Sequence, residues 1–93
     1  MVAGARIELF LPACHNLKEK RAIVKSLIGK LRSRWNLSVA EVAYQEQWQR
    51  TVLGIAAVAN EISFLQQVIQ AAVQWVENHP GVELIHAETV YYE

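Results

Sequence analysis

The sequence predicts an α+β fold, a four-stranded antiparallel sheet covered on one face by two helices, and three observations predict it. Residues 17–35 and 62–78 repeat apolar side chains at the spacing of amphipathic helices. Residues 2–11, 37–44, 48–59 and 82–92 show the two-residue alternation or the Val, Ile and aromatic content of strands. These segments follow one another as strand, helix, strand, strand, helix, strand, without linker, repeat or low-complexity stretch.

The first strand places Ala3, Ala5, Ile7, Leu9 and Leu11 on one face and Gly4, Arg6, Glu8 and Phe10 on the other. Pro12 removes a backbone donor and stops it. Asn16, with Glu19 three residues later, is a variant of the capping box and opens the first helix. Leu17, Ile23, Val24, Leu27, Ile28, Leu31 and Trp35 fall in one band of that helix, and the band must face a core. Lys20 projects toward the apolar side and is expected to lie at its boundary, its ammonium reaching water. The second strand ends in the polar run Gln45-Glu46-Gln47, which turns the chain into the third and makes the two a hairpin. Residues 52–59 are almost wholly apolar, as a central strand requires, whereas Glu41 marks the second strand as an edge. Asn60 is expected to cap the second helix, whose Ile62, Leu65, Ile69, Ala72 and Val76 share a face until Pro80-Gly81 ends it. Two right-handed crossovers and one hairpin connect this order as a ferredoxin-like βαββαβ sandwich. The sheet face away from the helices is then uncovered, and its mixed polar and aromatic residues make it a candidate surface for self-association.

At 93 residues the chain, taken as residues 1–93, supports one core and one domain. Its composition, 53% apolar and 19% charged, is that of a chain that folds. No apolar run approaches the roughly 20 residues of a membrane span, and the first residues lack the pattern of a secretory signal, so the cytoplasm is the expected location and no membrane partner is expected. The single cysteine, Cys14, fits a reducing compartment. Formal net charge is zero, yet seven of the nine Lys and Arg residues lie between positions 18 and 34, where Glu19 is the only acid.

Residues 16–21 (Asn-Leu-Lys-Glu-Lys-Arg), Val24-Lys25-Ser26-Leu27, Leu31-Arg32, residues 38–42 (Ser-Val-Ala-Glu-Val), Trp48-Gln49-Arg50, and Leu53-Gly54-Ile55-Ala56 with Asn60 resemble, in order and spacing, the bacterial YlxP-like family. The resemblance spans almost the whole chain and implies the ferredoxin-like fold. The family's biochemical function is unassigned, and the frequent neighbourhood of its genes to those of a translation initiation factor and a ribosome maturation factor implies a link to ribosome assembly.

The residues themselves offer one strong local signal. On a wheel of about 100° per residue, Lys18, Arg21, Lys25 and Arg32 fall within about 60° of one another, flanked by the small side chains of Ala22, Ser26, Gly29 and Ser33. Such a row can meet a phosphate backbone, and four contacts predict a log affinity against log salt slope of roughly −3 to −4. The alternative is a solvated face, or a row paired with acids such as Glu41 or Glu46. The second helix, with Gln66, Gln67, Gln70 and Gln74 and no basic residue, is not a rival site.

Cys14, ahead of the first helix with Lys18 nearby, has the position of an activated thiolate, but no base or oxyanion stabiliser accompanies it and catalysis is not expected. His15, His79 and His86 stand on distant segments without paired-ligand spacing, so no metal is expected, and no fingerprint of a nucleotide or other cofactor is present. Trp48 and Arg50 could stack on a base, although Arg50 is the more natural partner of Glu41 across the hairpin. Gly54, within a central strand, is expected to permit close packing. The expectation is a non-enzymatic protein associated with rRNA or a ribosomal particle; the alternatives are a homodimeric interaction module or, on fold analogy alone, a small-molecule regulatory domain.

Overall fold

The computed structural model describes residues 1–92. Six elements follow in the expected order: β1 (Val2–Phe10), α1 (Leu17–Arg34), β2 (Ser38–Ala43), β3 (Arg50–Val58), α2 (Ile62–Glu77) and β4 (Glu83–Tyr92). The strands form one antiparallel sheet in the order β2-β3-β1-β4, so the hydrophobic β3 is central and β2 is an edge. This is the ferredoxin-like α+β sandwich.

The register follows from burial. Ala3, Ala5, Ile7 and Leu9 of β1 stand opposite Ala57, Ile55, Leu53 and Thr51 of β3, and this inner face meets Val24, Leu27 and Leu31 of α1 and Leu65, Ile69, Ala72 and Val76 of α2. A slip of one residue would carry every one of these side chains to the other face, and that fixes the pairing. Asn16 caps α1 as expected: its Oδ1 accepts from the Glu19 backbone N–H at 2.9 Å, while its Nδ2 donates to the Glu19 carboxylate at 2.8 Å.

The start of α2 departs from expectation. The cap position is Glu61, without a side-chain cap bond, rather than Asn60. Burial of Ile62 and Leu65 against the sheet sets the first turn there, and packing prevails over the better capping residue.

The β2–β3 connection is held at both ends. Tyr44, at φ 61°, turns the chain in the left-handed region. Gln49 accepts from the Leu11 N–H at 2.8 Å, and its side-chain amide reaches the carbonyls of Pro12 and Cys14, both at 3.2 Å. This ties the hairpin to the segment entering α1 and leaves Trp48 53% exposed at the tip.

Candidate nucleic-acid interface

The solvent face of α1 carries Lys18, Arg21, Lys25 and Arg32, all exposed. Among the described residues none of the four lies within salt-bridge distance of a carboxylate, so Glu41 and Glu46 leave them unpaired. Arg32 donates through Nη2 to the Val39 carbonyl at 2.7 Å, a neutral acceptor that leaves its positive charge uncompensated. That carbonyl belongs to edge strand β2 and points away from β3. Arg32 thereby covers part of a strand edge that would otherwise offer itself to another chain.

Between α1 and β2 runs an open groove of about 600 Å³. Val24, Ile28 and Val39 form its apolar side, and Arg21, Lys25 and Arg32 stand along its rim. Gly29 also borders it, and a Cβ added there would meet no atom within 4 Å. Three of the four row residues therefore share one concavity, and Lys18 stands nearly a turn nearer the helix N-terminus.

Lys20 corrects the expectation of a boundary residue, because its side chain is fully buried. It lies one turn before Val24 and two before Leu27, on the buried stripe itself. Nζ contacts Glu41 Oε2 at 2.7 Å and donates to the carbonyls of Tyr44 at 2.6 Å and Gln45 at 3.3 Å, so all three of its protons have partners. Thr51, also buried, donates its hydroxyl to the same Glu41 oxygen at 2.6 Å. The signal in the sequence was the alternation of Val39 and Glu41: both side chains face inward, and an inward acid beside a core needs a cation. β2 is indeed an edge, but Glu41 does not make it one.

Arg50 is corrected by the same fact. With Glu41 engaged by Lys20 and Thr51 on the inner face, Arg50 pairs on the outer face with Glu8, donating from Nε at 2.8 Å and also from Nη2. This hydrogen bond pushes the guanidinium pKa up from its ordinary value. The Arg50 guanidinium also lies over the Tyr44 ring, 4.6 Å from its centroid. Arg50 is thus held by Glu8 and Tyr44, while Trp48 stands exposed at the hairpin tip. Gly54 does serve packing, but its neighbour is the Val42 side chain on the same sheet face, 3.0 Å from where a Cβ would stand, rather than a helix or a ligand.

The outer sheet face is not a cationic surface. Around Arg6 and Arg50 it presents Glu8, Glu83 and Glu88, with His86 bonded to Glu88 at 2.9 Å. Its far end is apolar, where Val58, Val2 and Tyr92 stand side by side across three strands with Val90 beside them, all exposed.

Cys14 is buried, and that burial, with Glu19 nearby, pushes its thiol pKa up against the opposing pull of Lys20. An activated thiolate requires the opposite shift. Sequence reasoning also missed a cluster where α1 and α2 end: Trp35 and Trp75 meet edge to face at 6.3 Å, with Arg34 over both rings at 5.4 and 5.8 Å. Each Trp stands at or near the end of its helix, and their shared position was the available clue.

No helix of the described chain is long and apolar enough to cross a membrane. A solved structure, the de novo designed protein Foldit4, aligns over 100% of both chains with a TM-score of 0.61 at 9% identity, a likeness of fold alone. The uncharacterized protein YlxP of Bacillus subtilis (strain 168) is 30% identical over 92 residues, covering 99% of this chain and 100% of that one. Residues 2–89 match the family described as protein of unknown function (DUF503). The chain therefore belongs to this YlxP-like family, DUF503, whose members share a sequence pattern without an assigned biochemical role.

Proposed function

We propose that this protein is a non-enzymatic, RNA-associated accessory factor of ribosome assembly or translation, with Lys18, Arg21, Lys25 and Arg32 as contacts to the phosphate backbone. One observation carries the reading: four exposed cations of one helix face, none with a carboxylate partner among the described residues, in a chain of zero formal net charge. A face built only for solubility has no need to segregate one sign of charge. The acids on the outer sheet face direct a polyanion to α1 rather than to the sheet.

The test is binding to rRNA across a salt series. A log-log slope of roughly −3 to −4 is expected, with binding lost in Lys25→Glu/Arg32→Glu. Binding that is flat with salt or unchanged in that variant refutes the proposal.

The exposed apolar row Val58, Val2 and Tyr92 favours a second reading, a homodimer through the outer sheet face. Light scattering at high concentration, with Val58→Glu as control, tests it; a monomer throughout rejects it.

A further inference from the structure

We infer that the groove between α1 and β2 takes an unpaired base of single-stranded RNA, while the cations on its rim hold the flanking phosphates. This rests on the RNA reading above and narrows it from any polyanion to one strand with accessible bases.

The groove joins two chemistries. Its rim is cationic, with Arg21 and Lys25 one helical turn apart and Arg32 about 10 Å further along the axis. Its one acid, Glu41, is already neutralised by Lys20 and bonded to Thr51. Its inner side is apolar: Val24 and Val39 are almost wholly buried at its floor, and half-buried Ile28 is the apolar side chain that solvent reaches. A paired duplex presents phosphates and sugars outward with its bases stacked inside, and would meet the rim while leaving the exposed part of Ile28 and the groove above it to water. A single strand supplies phosphates to the rim and the apolar face of an unstacked base to the interior.

Two further features fit a base. The Arg32 guanidinium, fixed by the Val39 carbonyl, is a planar cation at the groove wall, of the kind on which bases stack. The Val39 carbonyl points away from β3, and in an antiparallel strand the N–H of the same residue points the same way, so at this edge of β2 an N–H without a strand partner among the described residues faces a base edge.

Gly29 supplies the test. A Cβ there meets no atom within 4 Å, so Gly29→Leu projects a bulky side chain from the groove's border and narrows it, and exchanges glycine for a better helix former. Gly29→Ala keeps the helix gain and leaves the groove open. Fluorescence anisotropy is measured at matched salt with a labelled oligouridylate and with a fully paired RNA duplex of equal length. The expected result is tighter binding of the single strand, weakened about tenfold by Gly29→Leu and not by Gly29→Ala, with duplex binding unmoved by either. Thermal melting confirms that both variants stay folded.

Equal binding of single strand and duplex, indifferent to Gly29→Leu, overturns the groove assignment and leaves the RNA reading standing. Absence of binding to either RNA, with wild type no better than Lys25→Glu/Arg32→Glu, removes both. A glutamate- and leucine-rich peptide that binds where neither RNA does, and is blocked by Gly29→Leu, gives the groove to a protein partner and likewise overturns the inference.

Discussion

Replacing Lys20 by methionine removes a buried ammonium while keeping the length and most of the volume of the side chain. Glu41 then stays on the inner face with Thr51 as its one remaining partner, and the Tyr44 and Gln45 carbonyls lose their shared donor. Breaking one side of a buried pair costs about 3–5 kcal/mol. Glu41 retains 18% exposure and its bond from Thr51, so the lower figure, about 3 kcal/mol, applies. For a domain of this size each kcal/mol moves the melting temperature by about 4–8 °C, and Lys20→Met should melt about 12–24 °C below wild type. Circular dichroism melts with a urea titration read this directly. The companion variant Lys20→Met/Glu41→Leu/Thr51→Val removes every charged or hydroxyl member of the cluster at once. It should recover most of the loss, because a packed apolar substitute is often neutral or better than a buried ion pair. A single variant within about 0.5 kcal/mol of wild type, or a triple variant no better than the single one, would refute the claim that an unpaired inner-face charge is the source of the cost.

Two glycines of the sheet should respond differently to alanine. At Gly4 the added Cβ meets the Ile55 carbonyl oxygen at 3.2 Å, a backbone atom of a central strand that cannot yield, and a loss of about 1–3 kcal/mol in urea unfolding is expected. At Gly54 the neighbour is the exposed side chain of Val42, which can turn outward into solvent where a central-strand carbonyl cannot, so Gly54→Ala should cost less than Gly4→Ala; the reverse order would contradict this account. Gly81→Ala should also destabilise, by about 1 kcal/mol, since φ is +84° there. Cys14 should resist iodoacetamide in the folded protein and react on unfolding. Because burial raises its folded pKa above the ordinary 9.0, the unfolded chain loses this proton first as pH rises. The contribution is therefore whole below about pH 9 and declines above it, so wild type should lose stability across that range faster than Cys14→Ala. Equal pH dependence of the two would show that the thiol does not couple to folding.

Element order, the Asn16 cap and the basic row of α1 were legible in the sequence because each rests on a local period or a short spacing, and the antiparallel sandwich followed from that order and the handedness of its connections. A helix face is fixed by about 100° per residue whatever the helix packs against, so the positions of Lys18, Arg21, Lys25 and Arg32 relative to one another needed no fold. Their surroundings did. Only tertiary structure could bring Arg32 to the Val39 carbonyl and place β2 beside α1 to make a groove. It also decided that Glu41 belongs to Lys20, 21 positions away in sequence, rather than to Arg50 across the hairpin, and that Arg50 belongs to Glu8. Periodicity tells which way a side chain points, but which charge it meets depends on the order in which strands are laid side by side. That order is settled by burying the inner face of the whole sheet at once.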